Sequence, residues 1–96
     1  MKPSAALEAH RDAIRALVHK YPAANPRVFG SVLRGGDKEG SDLDLVIDAL
    51  PGATLFDLGG LQMELEELLG VKVDLLTSGG IAKRLRDRIL AEAVPV

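Results

Sequence analysis

The sequence contains no cysteine and no tryptophan among its 96 residues, and it has one tyrosine and two phenylalanines. The lack of thiols excludes disulfide bridges, thiolate metal sites and cysteine nucleophiles. So few aromatic rings leave little to stack on nucleic-acid bases, and we therefore expect no direct binding of nucleic acid. The two histidines are too few for a histidine-rich metal site. The core must be built from leucine, valine, isoleucine and alanine.

Long apolar runs are also missing. No stretch approaches the roughly 20 apolar residues that span a bilayer, and residues 1–4 carry no apolar signal segment. We therefore expect a cytoplasmic protein with no membrane partner. A hydrophobic content of 47% and a charged content of 27% over 96 residues predict a single domain that spans residues 1–96.

Charge is unevenly distributed along the chain, although the formal net charge is only −2. Residues 1–38 hold seven Lys or Arg and three Asp or Glu, a balance of +4, whereas residues 39–96 hold five and eleven, a balance of −6. This pattern favours a bound cation or polyphosphate over a nucleic-acid surface.

Apolar periodicity and turn residues predict three helices and three strands. Ser4 is expected to cap the first helix, which ends near Lys20 or Tyr21 before Pro22. Thr54 and Asp57 resemble a capping pair for the second helix, which runs to Leu69. The third helix has its apolar positions at residues 81, 85 and 89. The predicted strands cover residues 27–29, 42–47 and 71–76, and a polar loop covers residues 35–41.

Gly30 and Ser31 follow directly after the first predicted strand. Glycine lets the backbone approach a ligand closely, and the N–H groups at the start of a helical turn can hold an anion. The pair is therefore a candidate phosphate clamp. An ordinary turn would use the same two residue types.

Asp42 and Asp44 alternate onto one face of a strand, with Leu43, Leu45 and Ile47 on the other face. Their roots lie about 7 Å apart, so both carboxylates can reach one hard divalent cation. Like charges held together also favour a bound cation. A solvated strand face gives the same Asp-x-Asp pattern without any ligand.

The spacing of these two motifs is more specific than either motif alone. Gly30-Ser31, ten further residues and then Asp42-Leu43-Asp44 resemble the signature of the polymerase-beta-like nucleotidyltransferase superfamily. The segments at residues 29–35 and 41–46 are most similar to the minimal nucleotidyltransferases, which pair with HEPN toxins in toxin–antitoxin modules. The resemblance extends over nearly the whole chain.

The resemblance implies a small mixed β-sheet backed by helices, of the α/β (α+β) class. Asp42, Asp44 and Asp74 would converge as ligands of two Mg²⁺ ions, with Asp74 also helping to activate the attacking hydroxyl. ATP would be the substrate, and AMP would pass to the hydroxyl of a tyrosine in a cognate HEPN-type toxin. The protein would then act as the antitoxin of a type VII-like module.

The resemblance assigns Gly30, Ser31, Arg34 and Ser41 to nucleotide binding. An ion pair at the surface is the alternative role for Arg34. The basic run at Lys83, Arg84, Arg86 and Arg88 is either a solvated helix face or a docking surface for the partner. His10 and His19 are expected at the surface, and Tyr21 is expected to anchor the end of the first helix.

Two other functions remain open on the sequence. A non-catalytic antitoxin would neutralise its toxin by binding alone, but the presence of all three aspartates favours catalysis. A transferase that acts on a small molecule, such as an aminoglycoside, is disfavoured because 96 residues leave no room for an acceptor domain.

Overall fold

Three helices and a four-stranded sheet form the chain, and the computed structural model describes all 96 residues. Short 3₁₀ turns follow β1 and β3, at Gly30–Val32 and Ser78–Gly80. The helices are α1 (Pro3–His19), α2 (Leu55–Leu69) and α3 (Lys83–Glu92), and the strands are β1 (Ala23–Phe29), β2 (Leu43–Ala49), β3 (Val73–Thr77) and β4 (Val94–Pro95). The expected α+β fold is confirmed. None of the helices combines the length and apolar character needed to cross a membrane.

The sheet is mixed, with its strands in the order β3, β2, β1, β4. β2 and β3 are parallel and are connected through α2, whereas β1 is antiparallel to both β2 and β4. Parallel neighbours need such a crossover, while antiparallel neighbours do not. β1 and β2 are the central strands of the sheet, with β3 beside β2 and β4 beside β1.

The hydrophobic core lies on one face of the sheet, beneath α1 and α2. Leu43, Leu45 and Ile47 are fully buried there, as their alternation along β2 predicts. The helices contribute Ala6, Leu7, Ile14 and Val18 from α1 and Leu61, Leu65 and Leu69 from α2. The opposite face of β2 carries Asp44, Val46 and Asp48, and α3 lies beside that face.

The start of α1 differs from the prediction that Ser4 caps it. The helix begins at Pro3, and its capping position, Lys2, makes no side-chain capping bond. The Ser4 backbone N–H instead donates to the Asp37 carboxylate at 2.9 Å. Asp37 is buried, with 8% of its surface exposed, and it supplies the cap from 33 residues away. The capping role that the sequence predicts for the Ser4 side chain is thus filled by Asp37, through a tertiary contact with a free N–H of the first helical turn.

The sheet differs from the prediction in two places: β1 begins earlier, and a fourth strand follows α3. β1 begins at Ala23 instead of Arg27 and crosses Asn25 and Pro26 through an irregularity in its pairing with β2. Asn25 adopts a positive φ of 55°, a conformation that asparagine tolerates better than most residues. β4 was not predicted at all, because two residues carry no readable period; it pairs Val94 with Val28 of β1.

The capping prediction for α2 is confirmed. The Thr54 hydroxyl accepts from the Asp57 backbone N–H, and the Asp57 carboxylate accepts from the Thr54 backbone N–H, which closes a capping box. At the other end, Gly70 adopts the left-handed conformation with φ of 68°. Both ends of the crossover helix are therefore encoded locally.

Candidate active site

Gly30 stands at the point where β1 ends and the first 3₁₀ turn begins. Its φ is 79°, and its carbonyl accepts from the backbone N–H of Leu33 at 3.1 Å. A Cβ added here would overlap the Asp44 Oδ2 atom. Glycine is therefore required twice, once for the conformation and once for the close approach of the Asp44 carboxylate.

The three predicted aspartates are brought to one face of the sheet. Asp44 of β2 is in register with Asp74 of β3, and paired residues on parallel strands point to the same side. Asp44 also faces Phe29 of β1 in the antiparallel register. Asp42 lies two residues before Asp44, immediately before β2 begins. Asp44 is partly buried, whereas Asp42 and Asp74 are exposed.

The aspartates interact electrostatically. Burial raises the pKa of Asp44 above its ordinary value, and the charges of Asp74 and Asp42 raise it further. The Arg34 guanidinium acts in the opposite direction and lowers the pKa of the same carboxyl. The charged form of Asp44 is therefore disfavoured by burial and by the two neighbouring acids, and Arg34 is its nearby positive counterpart.

The aspartates fit a hard divalent cation in their chemistry, since Mg²⁺ prefers carboxylate oxygens and retains several waters. The mutual repulsion that raises the pKa of Asp44 is the free-energy cost that a cation would relieve. As the side chains stand, no three acidic or histidine groups are gathered tightly enough to hold a metal ion. The register of the strands thus places the three carboxylates on one side of the sheet. Their side chains would have to rotate toward one another to bind a single cation.

A cleft of about 500 Å³ opens beside Asp44. One wall is formed by the end of β1 and the turn that follows it, including Gly30, Ser31 and Arg34. The other wall is α3, through Leu85, Arg88, Ile89 and Glu92. The cleft therefore joins the predicted phosphate clamp to a helix that was not predicted to belong to the site.

Of the predicted nucleotide-binding residues, Ser41 lies outside the lining of this cleft. Its hydroxyl accepts from the Lys38 backbone N–H at 2.9 Å, and its own N–H donates to the Lys38 carbonyl at 3.0 Å. Ser41 closes the turn that leads into Asp42, and its role in nucleotide binding stays a prediction. Gly30, Ser31 and Arg34 do line the cleft.

The basic residues of α3 differ in their contacts. The Arg86 guanidinium donates to the Ile81 carbonyl at 3.2 Å, and Arg88 lines the cleft. Lys83, Arg84 and Arg88 are exposed, and Arg86 is partly buried. Arg84 and Arg88 lie four positions apart on the helix and are therefore neighbours on its surface. The choice between a solvated face and a docking surface stays a prediction.

Two more sequence predictions can be placed. Tyr21 follows α1, and its hydroxyl donates to the Glu64 carboxylate on α2, which agrees with an anchoring role. His19 is exposed, while His10 is partly buried where α1 kinks.

A larger groove, of about 660 Å³, lies between α1 and α2 and contains none of the three aspartates. We therefore assign the chemistry to the smaller cleft.

Sequence reasoning missed Phe29, Arg88 and Glu92 as parts of the site, and it read Leu85 and Ile89 only as helix core positions. The spacing of residues 85, 88, 89 and 92 does mark one helix face. A helix face with two apolar and two charged positions does not allow its packing partner to be predicted. Only the tertiary arrangement brings that face to Asp44.

Comparisons with known proteins agree with this geometry. The family model described as a nucleotidyltransferase domain matches residues 10–96. A predicted protein adenylyltransferase of Methanocaldococcus jannaschii is 46% identical over 77 residues, which cover 80% of this chain and 83% of that protein. The protein adenylyltransferase MntA of Thermococcus cleftensis is 33% identical over 90 residues, covering 94% of this chain and 88% of that protein.

Solved structures show the same fold. One solved structure, described as that of a minimal nucleotidyltransferase, superposes on this chain with a TM-score of 0.89 at 45% identity. The match covers 100% of this chain and 97% of the other. A toxin–antitoxin structure with AMP-PNP gives a TM-score of 0.76 at 20% identity, covering 88% of this chain and 69% of that chain. The resemblance to minimal nucleotidyltransferases is thus confirmed, and the chain belongs to the nucleotidyltransferase domain family.

Proposed function

We propose that this protein transfers AMP from ATP to a hydroxyl of a partner protein, and that the partner is a HEPN-type toxin which the transfer neutralises. The acceptor we propose is a tyrosine. The observation that carries the proposal is the pairing of Asp44 with Asp74 across parallel strands, beside a cleft that begins at Gly30. The protein is then the antitoxin of a type VII-like toxin–antitoxin module.

In the proposed reaction, the acceptor oxygen forms a bond to the α-phosphorus of ATP. The bond between that phosphorus and the oxygen bridging to the β-phosphorus breaks, and pyrophosphate leaves with the electron pair. The hydroxyl proton passes to a carboxylate, and we assign this role to Asp74, which is exposed on the strand beside Asp44. Positioning and charge neutralisation account for most of the catalysis.

The phosphates of ATP would be held at the end of β1. Gly30 keeps the backbone free of a side chain at the closest approach to Asp44, and Ser31 offers a hydroxyl and an N–H at the start of the turn. Arg34 adds a positive charge within range of the Asp44 carboxylate. A guanidinium suits phosphate because its donors match two oxygens at once.

Asp42, Asp44 and Asp74 would hold Mg²⁺, and we propose two ions by analogy with the superfamily. When bound, the cations supply charge neutralisation at the α-phosphate and the departing pyrophosphate. The three carboxylates would hold the ions on the sheet face that carries Asp44, which borders the cleft. Their role as ligands explains why three acids are held together despite their repulsion.

The relatives support the acceptor and the partner. MntA of Thermococcus cleftensis and the Methanocaldococcus jannaschii relative are both named protein adenylyltransferases, and each covers at least 80% of this chain. Structures of the same fold come from toxin–antitoxin complexes, one of them with AMP-PNP and another of MntA with HepT. A protein hydroxyl is therefore a better-supported acceptor than a small molecule.

The test is to incubate the protein with ATP, Mg²⁺ and the protein encoded beside its gene, and to weigh that neighbour by intact mass spectrometry. We expect a mass increase of one or more AMP units, and label from α-phosphate-labelled but not γ-phosphate-labelled ATP. Omitting the divalent cation and replacing Asp44 by Asn serve as controls. An unmodified neighbour that is nevertheless bound and inhibited would replace this proposal with neutralisation by binding alone.

A further inference from the structure

We propose that the inner face of α3, formed by Leu85, Arg88, Ile89 and Glu92, is the second wall of the nucleotide site. Arg88 would contact the triphosphate, and Leu85 and Ile89 would pack against the base. This inference rests on the proposed function and adds to it a set of binding residues outside the recognised motif. The ligand class is a nucleoside triphosphate.

The four residues form one stripe on the helix. Their spacing of three, four and seven positions places them on the same side of α3, and all four line the cleft that contains Asp44. The neighbouring residues Lys83, Arg84 and Asp87 are exposed and do not line it. The stripe is therefore a distinct face of the helix.

The apolar part of the stripe is not used by the core. No residue of α3 is fully buried, and Leu85 keeps 41% of its surface exposed. Helices normally turn their apolar positions toward the core, where burial contributes about 25 cal/mol per Å². Leu85 and Ile89 instead line a cleft together with Phe29 and with four charged residues, Arg34, Asp44, Arg88 and Glu92. An apolar ring system entering that cleft would cover them.

The charges of the cleft point to a polyanion. Arg34 and Arg88 stand on its two walls, and neither forms an ion pair with a carboxylate of the protein, even though Asp44 and Glu92 border the same space. Two guanidinium groups left available on opposite walls suit a chain of phosphates that passes between them. A nucleoside triphosphate combines such a chain with a flat apolar base.

The attachment of α3 leaves it able to adjust to a ligand. The helix has no side-chain cap at its start, and it is held mainly by its flanks, buried Ile81 before it and the short strand β4 after it. A helix with few buried contacts opens at low free-energy cost. Ligand contacts along its inner face should therefore stabilise it measurably.

The experiment compares Arg88→Gln with Arg84→Gln, a matched control on the same helix outside the cleft. The probe is a fluorescent ATP analogue, mant-ATP, titrated in equilibrium binding with Mg²⁺ and without partner protein. We expect Arg88→Gln to weaken binding about tenfold or more, as loss of a charge-assisted hydrogen bond does, and Arg84→Gln to leave it unchanged. Thermal melting of each variant checks that both fold.

A second arm separates the base from the phosphates. We expect Leu85→Ala to weaken displacement of mant-ATP by adenosine but not by inorganic tripolyphosphate, and Arg88→Gln to do the opposite. In the unaltered protein, ATP should slow hydrogen exchange of the α3 amides. Equal affinities for both arginine variants, or α3 amides that ATP leaves unprotected, would overturn the inference while the transferase proposal stands. Failure of the unaltered protein to bind mant-ATP would overturn both.

Discussion

Asp44 combines three properties that set it apart from the other aspartates of the site. It is partly buried, it is in register with Asp74, and its carboxylate occupies the space that a side chain at position 30 would fill. Its pKa is raised by burial first and by the charges of Asp74 and Asp42 second. The ionised carboxylate therefore lowers the stability of the fold in the absence of a cation.

Replacing Asp44 by Asn should abolish transfer and raise the thermal midpoint at neutral pH by a few degrees, because the repulsion with the neighbouring acids is removed. Adding Mg²⁺ should raise the midpoint of the unaltered protein but not that of the variant. Calorimetry with and without Mg²⁺ checks both statements. Asp42→Asn is the comparison, and it should stabilise less because Asp42 is exposed. Transfer that survives in both variants would contradict the site.

Gly30→Ala tests the close approach at the end of β1. The added Cβ would overlap Asp44 Oδ2, and the φ of 79° is unfavourable for alanine by about 1–2 kcal/mol. We expect the variant to lose stability by at least that amount and to lose transfer as Asp44 is displaced. Gly36→Ala is the control, since a Cβ there meets no atom within 4 Å. Urea denaturation of the two variants should separate them clearly, and similar midpoints would disprove the contact.

At the scale of elements, the loop between the clamp and β2 is held by the start of α1. The Asp37 carboxylate accepts from the Ser4 backbone N–H, and that hydrogen bond lowers the pKa of Asp37. The Ser41 hydroxyl closes the following turn on the Lys38 N–H. These contacts hold the ten residues between Ser31 and Asp42 and thereby fix the position of Asp42.

Asp37→Ala should cost about 0.5–2 kcal/mol of stability, the usual cost of losing a helix cap, and should also slow transfer because the loop carrying Asp42 loosens. Glu39→Ala is a fitting control on the same loop, because Glu39 is exposed and its ion pair contributes little. Chemical denaturation gives the first quantity and single-turnover transfer gives the second. Identical stabilities of the two variants would show that Asp37 is not a cap.

At the scale of the whole molecule, a second polar cluster closes the end of the sheet opposite the aspartates of the site. Asp48 of β2 accepts from Arg27 at 3.0 Å, from Asn25 at 2.7 Å and from the Ser78 hydroxyl at 2.7 Å. These hydrogen bonds hold the pKa of Asp48 far below its ordinary value. They join β1, β2 and the turn after β3, which is the turn that leads toward α3.

This cluster makes stability depend on pH. A lowered pKa means that Asp48 stabilises the fold above the pKa of an unfolded aspartate, about 3.9, and that this contribution is lost as the pH falls toward the lowered value. Asp48→Asn should therefore be less stable than the unaltered protein at pH 7. The difference should begin to shrink below about pH 4. Urea midpoints measured across this range check the sign, and a difference that grows in acid would contradict it.

Several features of this protein are encoded locally and could be predicted from its amino-acid sequence. The capping box of Thr54, the left-handed Gly70 and the alternation along β2 depend on neighbours within a few residues, so their patterns could be read directly. The spacing from Gly30 to Asp44 likewise identified the family and the face that carries the acids. These predictions agree with the structure because local backbone physics decides them.

Other features depend on residues that are distant in the sequence and come together in the folded chain. Asp37 rather than Ser4 caps α1, β4 pairs with β1, and the stripe containing Arg88 lines the same cleft as Asp44. Each depends on contacts between residues tens of positions apart, and no local period or propensity encodes a partner at that separation. An unsatisfied helix N–H, an unpaired strand edge and an uncovered helix face find their partners only when the sheet brings them together.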